Sequence, residues 1–352
     1  MPRKTPGVFR LTGNVSGPSE RGIWSLLVRE PNGMAQAPKS LRRVRNFLQE
    51  EYDRAFRHDH WNIGIVDAPI SRFLEPEPEL DVRWFPPPQS GSYYADPFGV
   101  VRGGVTEIFF EEYDFRSDKG VISHVSASPD GAFSSPEVEI DLRVHASYPY
   151  LIEREGRVYC IPETSHAREI ALYEAADFPH RWSRTATLVP GVAGVDPTLI
   201  EYDGMLWLFA TDLDDGPFSK LRIWYAPDLL GPWKPHPQNP VKTDVKSARP
   251  GGTPFLDGGE LYRPAQDSSS TYGGSITLNR IVRLTTAEFR EEPVATIGPL
   301  RDGPYAHGLH TLSALGDRTL VDGKWLAFNR SEMARHLRES IEVRWPRVLL
   351  GA

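Results

Sequence analysis

The chain is 352 residues long, 39% hydrophobic and 25% charged, with 32 prolines, 30 glycines and 9 tryptophans, the composition of a turn-rich globular protein. Its formal charge of −7, with lysines and arginines interspersed among a slight excess of acids, leaves no electrostatic footprint for nucleic acid. Cys160 is the only cysteine, so no internal disulfide forms and nothing points to an oxidising compartment.

The N-terminus, MPRKTPGVFRLTGNVSG, carries basic residues without the apolar run of a leader, and no later stretch approaches the ~18 apolar residues of a membrane span. A cytoplasmic protein with no membrane span is the expectation. Residues 1–60 read as an N-terminal extension. Its first 40 residues are rich in Gly, Pro and Ser and show no period. In 41–57, Leu41, Val44, Leu48, Tyr52 and Ala55 recur three or four apart behind Ser40 as N-cap, which predicts one amphipathic helix.

Over 61–330 the texture changes to short β-rich runs separated by Gly, Asp and Pro. HWNIGIVDAPI is followed by YADPFGVVRGGVTEIFFEE, SYPYLIEREGRVYCIPE, VDPTLIEYDGMLWLFATD, GTPFLDGGELYRPAQD and a looser HTLSALGDRTLVDGKWLAF. Each of the last five reads as a polar residue, usually followed by Pro, then an apolar strand, a Gly-containing turn and a second apolar strand, which is a β-hairpin. Pro97, Pro149, Pro197, Pro254 and then Thr311 are spaced 52, 48, 57 and 57 residues apart, and a period near 50 built on hairpins is the mark of a propeller. IALYEAADFPHRWSRTATLV and RIWYAPDLLGPWKPH would supply outer strands, and HWNIGIVDAPI a strand that closes the ring. The reading is an all-β, five-bladed β-propeller, against a sandwich or two smaller β domains; 331–352 is a C-terminal tail.

In such a ring the start and end of every inner hairpin meet at one mouth. The starting residues are Asp96, Tyr148, Asp196, Thr253 and His310. Counting 15 residues on from the first three reaches Glu111, Glu163 and Thr211, with Glu112 and Asp212 one step further; Gln266, Asp267 and Asn329 take similar places. Asp96 and Asp196 either cap their turns or carry chemistry. Two carboxylates across a narrow channel suit glycosidic bond cleavage, one deprotonating water and another protonating the leaving oxygen. Trp61, Tyr93, Tyr94, Tyr148, Trp207 and Tyr262 offer either a stacking platform for sugar or blade packing.

At YADPFGVV, VDPTLIEYDGMLWLFATD and APDLLGPW the chain resembles the five-bladed propellers of glycoside hydrolase family 43. The resemblance implies a furanose or pentose substrate, Asp96 as general base, Asp196 as the residue that tunes pKa and orientation, and His310 in the channel near a calcium ion, the one cofactor suggested. SYPYLIEREGRVYCIPETS and YRPAQDSSSTYGGSI are more similar to the propeller-like N-terminal domain of glucosamine inositolphosphorylceramide transferases. Family 43 carries its general-acid Glu in a Glu-Gly-Pro setting; here SARPGGTPF places Arg249 near that point. Glu163 is the expected replacement acid, with Asp212 and Asp267 behind it. Arg249 and Arg263 either bind an anionic or densely hydroxylated ligand or pair with nearby acids. His307 and His310 are too few for a metal site by themselves; each binds substrate or packs in a turn. Tyr272, before Gly273 and Gly274, would cover the mouth or simply form a turn. The expected activity is cleavage or transfer of a glycosyl unit from a carbohydrate or activated sugar, first of all a furanoside, with a glycosyltransferase or a non-catalytic sugar-binding propeller as alternatives.

Overall fold

The computed structural model describes residues 57–328 apart from 77–79, 90, 129–131 and 301–302. The helix expected over 41–57, the tail 331–352 and Asn329 lie outside the described residues, except that Arg57 begins a strand. Two strands, β1 (Arg57–Val66) and β2 (Val82–Trp84), come first. Blade I follows as β3 (Ser92–Arg102), β4 (Val105–Asp114), β5 (Lys119–Ala127) and β6 (Glu137–Ile140), and blade II as β7 (Ser147–Arg154), β8 (Arg157–Glu163), β9 (Glu169–Asp177) and β10 (His180–Pro190). Blade III is β11 (Gly194–Tyr202), β12 (Met205–Asp212), β13 (Lys220–Ala226) and β14 (Lys234–Pro235), with β15 (Lys242–Thr243) also on β13. Blade IV is β16 (Phe255–Asp257), β17 (Glu260–Asp267), β18 (Ser275–Leu284) and β19 (Phe289–Ile297). The chain ends the ring with β20 (Leu312–Leu315) and β21 (Arg318–Phe328).

Blade V is completed by the beginning of the chain: its order is β2-β1-β21-β20, and β1 pairs with β21 from Arg57 opposite Phe328 to Val66 opposite Thr319. The protein is therefore a five-bladed propeller closed by its own first strand, as HWNIGIVDAPI suggested. The inner hairpins turn in the way their sequences dictate. Gly103–Gly104, Glu155–Gly156, Asp203–Gly204 and Gly258–Gly259 each form a two-residue loop with φ positive at both positions, the turn whose twist matches that of the flanking strands.

Apolar packing lies at the seams between blades. One cluster fills each seam: Ile161 with Leu208 between blades II and III, Phe110 with Leu320 between I and V, Leu278 with Leu312 between IV and V, Phe209 with Ile281 between III and IV, and Phe109 with Cys160 between I and II. This leaves the ends of the inner strands free for polar side chains.

The entry to β3, β7 and β11 departs from expectation. A proline should hold the preceding residue extended, yet Asp96, Tyr148 and Asp196 have φ of 52°, 45° and 50°. Each sits in a register shift, between Ala95 and Phe98, Ser147 and Tyr150, and Val195 and Thr198. The left-handed residue forms a bulge that turns its side chain out of the pleat. The alternation of faces is broken at the same place in blades I, II and III.

Candidate active site at the propeller mouth

The residue before each bulge faces the return of the next strand: Ala95 is opposite Glu111, Ser147 opposite Glu163 and Val195 opposite Thr211. The pairing is one residue off the 15-residue count, because the bulge absorbs the difference. Around the mouth this brings together Asp96 and Glu111 of blade I, Glu163 of blade II, Asp196 of blade III, Arg249 and Gln266 of blade IV, and His310 with Asp322 of blade V. All are buried, none above 9% exposed.

Blade IV corrects the expected register. Gln266 N–H donates to the Arg249 carbonyl at 2.9 Å and Pro250 bridges Ala265, so Arg249-Pro250, rather than Thr253-Pro254, enters this blade where Asp96-Pro97 and Asp196-Pro197 enter blades I and III. Its guanidinium clamps Asp196, with Nε to Oδ2 at 2.6 Å and Nη2 to Oδ1 at 3.3 Å, while Gln266 Nε2 donates to the same Oδ2 at 2.6 Å. Glu163 lies behind this group. Its Oε2 accepts the Asp196 backbone N–H at 3.0 Å and its Oε1 accepts Ser165 Oγ at 3.1 Å. Burial pushes the Asp196 carboxyl up to about 7 against the pull of Arg249, and Glu163 adds to the rise.

On the other side, Asp96 Oδ1 accepts Thr311 Oγ1 at 2.8 Å and lies 3.7 Å from His310 Nε2. His310 Nδ1 is 2.5 Å from Asp322 Oδ2, and the other Asp322 oxygen accepts the backbone N–H of His310 and Thr311 at 2.9 and 3.1 Å. Burial raises Asp96 to about 6, with Asp196 and Asp322 pushing the same way and His310 opposing. For His310, burial disfavours the charge, but Asp322 and Asp96 outweigh it and hold the imidazole above its ordinary value. The ring stacks on Trp61 at 3.9 Å and meets Tyr272 edge-on at 5.3 Å. Tyr272 and Phe218, both at the surface, each lie 5.3 Å from the Arg249 guanidinium, so the rim is aromatic and the floor charged.

Other expected site residues stand elsewhere. Tyr148 is fully buried, its hydroxyl accepting Gly252 N–H at 2.7 Å and 2.8 Å from Thr198 Oγ1; it ties blades II, III and IV together. Tyr94 packs in the seam between blades I and V, and Trp207 and Tyr262 also pack within blades. Arg263 is fully buried against Glu291, through Nε at 2.9 Å and Nη2 at 2.6 Å, and donates to the carbonyls of Ser247 and Ala248. It cannot meet a ligand, because its charge is spent within blade IV. Asp212 and Asp267 accept the N–H of Asp214 and Ser269, two residues on, which is ordinary turn capping. His307 is exposed, and its backbone N–H joins the Lys324 carbonyl. Asp322 and Thr311 were missed as site residues; the one signal for Asp322 was an acid inside the apolar run TLVDGKWLAF.

Asp96, His310 and Asp322 offer ligand atoms within 4.8 Å of one another, but they do not fit calcium, which takes about 6–8 oxygen ligands. Asp322 already accepts backbone N–H groups on both oxygens, and its Oδ2 lies against His310 Nδ1 at 2.5 Å.

Residues 87–329 match the family described as "Glucosamine inositolphosphorylceramide transferase 1, N-terminal". The chain belongs to this family. The protein named glucosamine inositolphosphorylceramide transferase 1 in Oryza sativa subsp. japonica is 36% identical over 243 residues, 67% of this chain and 32% of that protein. Its counterpart in Arabidopsis thaliana is 34% identical over 209 residues, 58% of this chain and 27% of the relative. The chain thus spans about a third or less of the curated relatives it matches. Among solved structures, 1,3Gal43A, an exo-β-1,3-galactanase from Clostridium thermocellum, superposes with a TM-score of 0.50 at 13% identity, over 61% of this chain and 53% of that one. That likeness is of fold.

Proposed function

We propose that the mouth is a carbohydrate site at which a glycosidic bond is cleaved or its glycosyl unit transferred. The observation that carries this reading is the pair Asp96 and Asp196. Both are buried, both occupy the strained left-handed position of the same repeat, and each is gripped by a different cationic partner. Strain of about 1–3 kcal/mol per residue persists where surrounding structure over-determines it, as at functional sites.

Asp96 has one oxygen engaged by Thr311 and the other available for a water or acceptor hydroxyl. With its pKa raised to about 6, it is ionised at neutral pH and still basic enough to take a proton, which is the requirement for a general base. Both oxygens of Asp196 are committed to Arg249 and Gln266, so Asp196 orients rather than attacks. Glu163, with each oxygen accepting a hydrogen bond, positions Asp196 and is not free to act as the acid. Tyr272, at the surface, supplies a face beside the charged floor on which a sugar ring stacks.

Transfer is the second form of the reading, supported by two things: relatives named as transferases, and Arg249 at the entry of blade IV, where its guanidinium would also meet an anionic leaving group. Incubation with 4-nitrophenyl furanosides and pyranosides, and separately with sugar nucleotides plus an alcohol acceptor, tests both forms. Furanosides come first, on the motif resemblance. Release of nitrophenol supports cleavage, and product formed only with donor and acceptor together supports transfer. Saturable binding of an oligosaccharide without any product would overturn the enzymatic reading in favour of a sugar-binding propeller.

A further inference from the structure

Five buried carboxylates, Asp96, Glu111, Glu163, Asp196 and Asp322, share the mouth with two cationic side chains, Arg249 and His310. Five ionised acids against two cations in a desolvated cluster is not a stable state, so at least one acid holds a proton. Their partners differ. Asp196 has Arg249 and Gln266; Asp96 has Thr311 and His310; Asp322 has His310 and backbone N–H groups; Glu163 has a backbone N–H and Ser165. Glu111 has none of these. Its Oε1 is buried and makes no hydrogen bond.

The nearest polar atom recorded for Glu111 is His145 Nε2, at 3.3 Å. His145 Nδ1 accepts the Gly120 N–H at 2.9 Å, so the ring is the neutral tautomer with its hydrogen on Nε2. Burial and the neighbouring His166 hold its pKa down to about 4. A neutral histidine beside Glu111 gives it neither a hydrogen bond nor a counter-charge. Burial first, then Asp96, Glu163, Asp196 and Asp322 in turn, push the Glu111 carboxyl well above the usual carboxylate range. Tyr93, also close, is itself held neutral by burial and by Glu111.

We propose that Glu111 is the proton donor of the mouth, giving its proton to the oxygen of the departing glycosidic bond while Asp96 takes one from the attacking water. The inference rests on the glycosidic reading above. Glu111 is placed for this by the register of blade I, where it faces Ala95, next to Asp96. In the step, the water oxygen bonds to the anomeric carbon as the carbon–oxygen bond to the leaving group breaks. The proton of water goes to Asp96 and that of Glu111 to the leaving oxygen. Sugar and alcohol depart, leaving Glu111 ionised and Asp96 protonated, and exchange with solvent resets both.

A good leaving group needs no proton, and that is the test. On 2,4-dinitrophenyl and 4-methylphenyl glycosides of whichever sugar the panel identifies, Glu111→Gln is expected to keep the dinitrophenyl rate within about 10-fold and to lose the methylphenyl rate by 10²–10⁴-fold, the usual contribution of a general acid. Equal losses on both substrates, or on neither, would overturn the assignment. Should the variant fail to fold, the native protein answers alone: its methylphenyl rate must fall as pH rises through the titration of Glu111 while the dinitrophenyl rate does not. Two profiles of the same shape would overturn the proposal. A native protein that turns over no glycoside at all overturns the underlying hydrolytic reading, a result distinct from the other two.

Discussion

Asp96 and Asp196 occupy a backbone conformation that, after glycine, asparagine and aspartate tolerate best. Replacing either by Asn therefore removes the charge and keeps the bulge. Asp96→Asn is expected to lower turnover by 10²–10⁴-fold, and Asp196→Asn to lower it through the loosened Arg249 and Gln266 clamp, each with an unchanged far-UV circular dichroism spectrum; retention of more than about a tenth of the rate by both would remove them from the chemistry. A second consequence concerns stability. Folded values of about 6 for Asp96 and about 7 for Asp196 lie above the ~3.9 of an unfolded aspartate. The folded state thus binds more protons than the unfolded one across this interval, and stability contributed by the site is lost as pH rises through the folded values. His310, also raised, acts in the same sense, whereas His145, held down to about 4, acts in the opposite one and weakens the fold as pH falls below ~6.5. The difference between native protein and Asp96→Asn cancels the His145 background, which Asp96 does not influence. The variant is expected to gain melting temperature relative to the native protein at about pH 8 and little at about pH 5; a pH-independent difference would contradict the burial of an ionisable Asp96. These two aspartates were legible because they recur in register before proline. Glu111 was legible as a position and not as chemistry, since its lack of partners is a property of packing.

The bulge at the head of β3, β7 and β11 is the element that makes the mouth, and it holds a different residue in blade II. Tyrosine gains nothing from a left-handed backbone, yet Tyr148 accepts Gly252 N–H and contacts Thr198 inside the ring. Loss of that hydroxyl strands a buried N–H, which costs about 1–3 kcal/mol. Tyr148→Phe is expected to lower the unfolding free energy by that amount, read as a lower urea midpoint at an unchanged slope; an unchanged midpoint would mean that Gly252 finds another acceptor. The hairpins themselves could be read from the sequence because their turns carry Gly at fixed places. Blade IV could not be aligned correctly, since Thr253-Pro254 imitates the Asp-Pro signal four residues past the true entry at Arg249-Pro250. The extra length passes through Gly252 at φ 129°, where an added Cβ would lie 1.8 Å from the Leu312 carbonyl oxygen. A crossing of that closeness between blades IV and V leaves no trace in a hydrophobic pattern.

At the scale of the molecule, five sheets stay in a ring only if the last one is finished by the first strand. Strand β1 fills the edge of β21 along its full length and contributes Ile63, Ile65 and Val66 to the seams on both sides of blade V; it also carries Trp61, which stacks on His310. Closure is therefore structural and functional at once. A chain beginning at Ser92 keeps every strand of blades I to IV but loses β1 and β2, leaving a long unpaired edge and two seams opened to water. Unpaired edges of that length template association, so this truncation is expected to elute as aggregate on size exclusion and to melt without a cooperative transition. A chain beginning at Asp53 retains all the described strands and serves as the control. If the Ser92 form were instead monomeric and melted cooperatively, blades I to IV would be a domain in their own right, and the mouth would have to be rebuilt from them without His310 held against Trp61.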